Sequence, residues 1–319
     1  MEPSGGRLAN LGVLRIGGPD ALQFLQGQLS NDVMAVQRGS SVLAACSSAQ
    51  GRVLAVMRLF AHTSGVLALL PRDLVGPTLA HLRKYVLRAK VQLEDASDAL
   101  GVGGCNGSDV LRRAGIAVPP VGQCIQHEEI SVATVAGDSQ RFWVVGPPAS
   151  LTQRLDWPPT SNLDFERDWR RRDVEAGLPQ VYPATREVFV AQMLNLDLLD
   201  GISFTKGCYT GQEIIARTQH LGRIKRRLFK LELPRGPFAI GDPITLTGGR
   251  SGRLTEVVEL PDRLLALAVL NLEISADTES QADRGVATPT ESPTGPSGQT
   301  QLSIQAVAVL PDYFSPRSA

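Results

Sequence analysis

The chain has 319 residues, more than one typical domain, and 43% of them are hydrophobic, which excludes wholesale disorder. Lysine plus arginine balance aspartate plus glutamate at 32 each, so a whole-surface attraction for nucleic acid or anionic membrane gets no support. The four scattered cysteines (Cys46, Cys105, Cys124, Cys208) form no CxxC pair, which excludes an obvious zinc or cluster-ligating frame and argues against a disulfide scaffold.

The first segment, "LGVLRIGGPDALQFLQGQLSNDV", reads as an apolar strand, a Gly-Pro-Asp turn and a helix. Leu22, Leu25 and Leu29 recur at helical spacing and define its buried face. No charged start precedes an apolar run, and no apolar stretch reaches membrane-spanning length, so a soluble, cytoplasmic protein is expected. "SVLAACSSAQGRVLAVMRLFAHTSGVLALLP" gives three apolar runs parted by turn residues, expected as consecutive antiparallel strands. "RDLVGPTLAHLRKYVLRAKVQLED" continues as a helix with Leu79, Leu82, Val86 and Leu87 inward, then a strand. The succession implies an α+β subdomain near residues 45–100.

From about 98 to 165 the pattern weakens and Gly and Pro are frequent; "RFWVVGPP" is a strand and its flanks read as loops. "DFERDWRRRDVEAGLP" is a charged helix ended by Gly177 and Pro179, most of its charges expected in water. "HLGRIKRRLFK" carries Arg223, Lys225, Arg226, Arg227 and Lys230, which alternation along a strand would split between faces, leaving a solvated edge. After it come short strands at turn-rich intervals, "LFKLELP", "DPITL", "RLLALAVLNL" and "QLSIQAVAVLP", expected as a small β-barrel or sandwich. The Ser/Thr/Pro/Gly-rich stretch near 275–300 reads as a flexible insertion.

One short stretch carries chemistry. In "FTKGCYTGQE" Thr210 and Glu213 fit a capping box, which makes Thr210 the N-cap of a helix over "EIIARTQ". Cys208 then sits just ahead of a helix N-terminus and two residues after Lys206, and both positive influences favour thiolate. From the residues alone two readings stand, a working thiol or an inert cysteine in a turn. Cys46, Cys105 and Cys124 read as structural. Glu175 ends its helix, where its carboxylate could accept two parallel hydrogen bonds from an amino-pyrimidine edge or simply face water.

"GISFTKGCYTGQE" resembles the K-G-C-[FY]-x-G-Q-E motif of the YgfZ family, folate-binding proteins related to the glycine-cleavage T-protein, an aminomethyltransferase. "FLQGQLSNDV", "QGRVLAVMRLF", "EAGLPQVYPAT" and "QMLNLDLLDGISF" follow the family's order over most of residues 10 to 230. The resemblance implies an α+β, three-domain T-protein-like cloverleaf around a central folate channel, with a small C-terminal β-barrel. Residues 1–225 would form a bilobed folate-binding region and 226–319 the β-barrel domain. It implies a folate-binding accessory protein for assembly or maintenance of iron–sulfur enzymes, including tRNA-thiomethylating ones. The cofactor would be tetrahydrofolate or a related reduced folate, and the partners iron–sulfur proteins or assembly factors, without direct tRNA binding and without a bound metal. Site residues carried over are Cys208 as the thiol with Lys206, and Glu175, Tyr209 and Gln212 toward the folate. The aminomethyltransferases bear paired aspartates where this chain has Ala55 and Val56, and no Asp or Glu lies between Gly51 and Phe60. That departure points away from an enzyme; the alternative is a folate-dependent one-carbon (aminomethyl-type) transferase, which Asp32 could serve if it neared the pocket.

Overall fold

The computed structural model describes residues 4–135, 138–158, 160–247 and 249–272, with the backbone of 303–304 and 308–309. The expected insertion near 275–300 lies outside the described residues. The chain begins with β1 (Gly5–Arg7), β2 (Leu11–Gly17) and helix α1 (Ala21–Gln26), then a 3₁₀ turn, Val33–Arg38. Next come β3 (Val42–Ser47), β4 (Val53–His62), β5 (Gly65–Pro71), α2 (Arg72–Arg83) and β6 (Gln92–Asp95). The middle third holds β7 (Gly101–Asn106), α3 (Asp109–Arg113), β8 (Cys124–His127), β9 (Ile130–Val135), β10 (Asp138–Gly146), α4 (Pro148–Leu155) and α5 (Leu163–Glu175). After two 3₁₀ turns, Pro183–Thr185 and Ala191–Leu194, come α6 (Gln212–His220), β11 (Arg226–Leu233), β12 (Pro243–Leu246), β13 (Ser251–Glu259) and β14 (Leu264–Asn271). Short pieces β15 (Ser303–Ile304) and β16 (Ala308–Val309) complete the strands.

These strands make three sheets: β3-β4-β5-β2-β6, β1-β7-β10-β9-β8, and β15-β12-β13-β14-β11-β16. Alternation along the strands tells where the cores sit. On β2, Leu14 and Ile16 enter one apolar cluster while Val13 enters another. The first cluster joins one face of the β3–β6 sheet to Leu265, Leu267 and Val269 of β14. The second lies between the opposite face, with Phe60, Leu67 and Leu69, and the β1–β8 sheet, with Trp143 and Val145, and α5 closes it with Phe165 and Trp169. On β14, Leu264, Ala266, Ala268 and Leu270 face a separate cluster, so both faces are covered, which explains the unbroken apolar run.

Several expectations need correction. α1 stops at Gln26, so Leu29 packs beyond the helix end and Phe24 joins Leu25 on the buried face. α2 stops at Arg83, which leaves Leu87 exposed rather than inward. The flanks of β10 are not loops: β7, β8 and β9 lie there, with α3 and α4. Their signal is weak because β7, "GVGGCN", is glycine-rich for a packing reason. A Cβ at Gly103 would collide with the indole of Trp157, and one at Gly104 with that of Trp169.

Candidate functional site

The motif segment is fastened to the loop that follows α1. Ser203 N donates to Ser30 O at 3.0 Å and Thr210 N to Gly27 O at 3.1 Å. Lys206 Nζ donates to the carbonyls of Leu29 (2.8 Å) and Asn31 (2.7 Å) and lies 5.0 Å from the Tyr209 ring centroid. Burial brings this ammonium down to about 8, against the pull of Asp32. Tyr209 is buried and its phenol is pushed up to about 12. Gln212 Oε1 accepts from Tyr209 N at 3.3 Å, and Thr210 Oγ1 donates to Gln28 Oε1 at 3.2 Å. The expected capping box does not form: the N-cap of α6 is Gly211, at φ 82°, and no side chain caps the helix. Gly211 is required by proximity, because a Cβ there would meet Ser48 O at 2.6 Å.

The structure thus unites Lys206, Tyr209 and Gln212 and leaves the Cys208 side chain exposed beside them. Cys46 and Cys105 are buried and Cys124 half-buried, each thiol pushed up to about 12 by burial, which suits inert packing. Among the described residues no group of three or more His, Cys, Asp or Glu side chains could hold a metal. Asn31 and Asp32 serve the loop: Asn31 Nδ2 donates to Leu43 O at 2.8 Å, and Asp32 caps the 3₁₀ turn through Met34 N.

Glu175 lies apart on the last turn of α5, exposed, with Arg171 Nη1 2.5 Å from its Oε1. Two residues earlier, Asp173 faces inward, since positions two apart on a helix diverge by about 200°. Asp173 helps to line an inner cavity of about 30 Å³, with Arg58 of β4, Trp143 of β10, Trp169 and Arg170 of α5, Tyr182, and Glu256 of β13. Asn10 and Arg170 also line a neighbouring open cavity of about 560 Å³, whose wall includes Arg167, Arg235, Phe238 and Glu259.

Polar pairs organise this interior. Arg141 donates from Nε to Asp138 and from Nη1 to Asp173, both at 2.8 Å, and its guanidinium lies 4.9 Å from the Trp169 ring centroid. Burial pushes the Asp173 carboxyl up, against the pull of Arg141 and Arg58; the 24% accessibility of its side chain fits its place on the cavity wall. Arg58 is brought down to about 10 by burial, with Asp173 opposing and Arg141 adding. Arg170 and the Tyr182 hydroxyl donate to the two oxygens of Glu256, and Arg170 also reaches Val257 O at 2.9 Å. Burial and then the Glu256 charge hold the Tyr182 phenol well above its usual range, so it keeps a proton to donate.

Sequence reasoning missed these residues because charge on a helix ordinarily faces water, and Arg58 stood in a strand searched for acids. The same error touched the basic run. Arg227 is buried in a bidentate pair with Asp197 (2.6 and 2.8 Å), while Arg226 bonds Asn271 on the other face.

No protein-family model matches the chain. The tRNA-modifying protein YgfZ of Pectobacterium carotovorum is 33% identical over 276 residues, covering 82% of this chain and 81% of its own. The protein of the same name from Serratia proteamaculans is 33% identical over 282 residues, covering 85% and 86%. The crystal structure of the glycine cleavage system aminomethyltransferase T from Bartonella henselae matches with a TM-score of 0.60 at 15% identity, over 84% of this chain and 78% of that one. That likeness is one of fold.

Proposed function

Because the chain belongs to the YgfZ family, we propose that it is a cytoplasmic folate-binding accessory protein. Its work is the assembly or maintenance of iron–sulfur enzymes, including tRNA-thiomethylating ones, with Cys208 as its working thiol. The observation that carries this reading is the motif segment, in which Lys206, Tyr209 and Gln212 brace the backbone and the Cys208 thiol is left outward. One exposed thiolate supplies one ligand of the roughly four a cluster takes, so a cluster role calls for a partner protein or small thiol. Among the described residues no helix is long and apolar enough to cross a membrane.

The cavity pair supports the folate half of the reading. The outer cavity has the volume of a drug-sized ligand, and the inner one presents guanidinium and indole groups suited to a planar polar ring. A bound reduced folate would supply one-carbon carriage at its ring nitrogen. Arg58, Asp173 and the two indoles would orient its ring and exclude water, and Arg167 and Arg235 would face its acidic tail.

Titration of tetrahydrofolate into the purified protein, read by tryptophan fluorescence, tests the pocket, and saturable quenching is expected. No saturation would remove the folate half. Cys208→Ser in a deletion strain tests the thiol: loss of iron–sulfur enzyme activity is expected, and full rescue would reduce Cys208 to a structural role. One observation favours the transferase alternative, the placement of the Asp173 carboxylate in the cavity wall. Release of free folate from methylene-folate with an amine acceptor, abolished in Asp173→Asn, would decide for it.

A further inference from the structure

The end of α2 carries a local charge excess that a net charge of zero hides. Residues 74–93 contain no Asp or Glu, while Arg83, Lys84, Arg88 and Lys90 are all exposed. Among the described residues none of these four side chains pairs with a carboxylate, whereas Arg72 at the start of the helix holds both Asp95 and Asp98. The backbone that presents them is held in place. Tyr85 N donates to Leu82 O and Leu87 N to Tyr85 O, both at 3.0 Å, and Lys90 N donates to Asp20 Oδ2 at 2.7 Å. Val86, Ala89 and Val91 pack on the first apolar cluster, which leaves the cations, Tyr85 and Leu87 outward. The His81 and Tyr85 rings meet tilted, 5.2 Å between centroids, and Tyr85 keeps 36% exposure, so part of an aromatic ring stays open among the charges.

The groups beside this patch add to it. His81 Nε2 and Arg186 Nε are hidden from water without a partner. Burial, then the Lys84 and Arg186 charges, hold His81 below its usual value, with Glu187 opposing. Arg186 thus stands at the edge of the patch as a further cation, with Glu187 as an acid next to it. A lipid surface would need apolar depth, and Leu87, at 87% exposure, is one side chain. An acidic protein would use the charges and leave the ring idle. An unpaired nucleic-acid strand uses both, since its phosphates take the cations and its bases stack on an open ring.

We propose that the end of α2 docks a single-stranded RNA, its phosphates on Arg83, Lys84, Arg88 and Lys90 and one base on the Tyr85 ring. The choice of RNA rests on the proposed work beside tRNA-thiomethylating enzymes; the patch itself owes nothing to folate or to Cys208. It departs from the expectation that RNA is not bound directly, because a balanced chain can still carry an unbalanced patch.

Fluorescence anisotropy of a labelled oligouridylate of about 12 nucleotides, titrated with the full chain over a range of salt, tests this. Four phosphate contacts predict a slope of log affinity on log salt of about −3. Lys84→Glu with Arg88→Glu should weaken binding at least about 10-fold and flatten that slope toward about −1.5. Tyr85→Ala should weaken it about 10-fold at an unchanged slope, and Tyr85→Phe, which keeps the ring, should bind like wild type. Arg112→Glu with Arg113→Glu on α3 changes the net charge equally and should leave binding untouched. No binding by the wild type at low salt, or equal weakening by the α3 pair, would overturn the proposal. So would wild-type affinity in a folded Tyr85→Ala chain, or retention on phosphatidylserine vesicles that is lost in Leu87→Gln. Tighter binding of oligodeoxythymidylate than of oligouridylate would overturn the choice of RNA. The tetrahydrofolate titration and the Cys208→Ser strain are read separately, so either conclusion can fail without the other.

Discussion

Lys206 is the residue whose energetics are most exposed to test. Its ammonium closes the motif onto the α1 loop through two carbonyls, and burial holds it near 8 rather than at the usual 10.5. Between those values the folded chain has released the proton and the unfolded chain still binds it. Stability therefore rises with pH across that window, and the cost of a buried charge is present below it. The urea midpoint of the wild-type chain should climb relative to Lys206→Met from about pH 8 to about pH 10.5; a constant difference would refute this. At neutral pH Lys206→Met should still cost about 2 kcal/mol, because the Leu29 and Asn31 carbonyls lose their partner. The motif was legible in the sequence and its bracing was not. Thr210 and Glu213 have the spacing of a capping box, yet contact between Gly211 and the Ser47–Gly51 turn sets the helix start one residue later.

Among elements, β7 and α5 show why part of the fold escaped a reading by pattern. Apolar periodicity finds β4, β5 and β14, because their side chains are the core. β7 contributes absence: Gly103 and Gly104 make room for Trp157 and Trp169. Gly104→Val should cost about 3 kcal/mol or more through overpacking and should abolish the near-ultraviolet signal of Trp169. A variant as stable as wild type would mean that α5 can shift away from the sheet. α5 hides its own role likewise, since five of its thirteen positions, Phe165, Trp169, Arg170, Asp173 and Val174, turn inward while its charges read as a solvated face. Only the helical period, with Trp169 and Asp173 four residues apart, marks the acid as inward, and the surrounding charges mask that signal.

Across the whole molecule, apolar packing crosses the expected boundary at residue 225. The largest apolar cluster runs from the β3–β6 sheet into Leu228, Val258, Leu265, Leu267 and Val269 of the third sheet. A register shift between Leu254 and Glu256 re-aims β13 and accompanies a Glu256 buried against Arg170 and Tyr182. Glu256→Ala would leave the Arg170 charge without its carboxylate, a loss of about 3 kcal/mol. A chain cut after residue 225 would lose both the apolar cover and this ion pair, so it should expose the sheet face and bind a hydrophobic dye. The described residues of the full chain should unfold in one transition by calorimetry, with tryptophan fluorescence and far-ultraviolet circular dichroism changing together. Two separate transitions, or a folded and dye-silent 1–225 fragment, would show that the first region stands alone. The inner cavity would then have to form without Glu256, and Arg170 would lose the carboxylate that holds it.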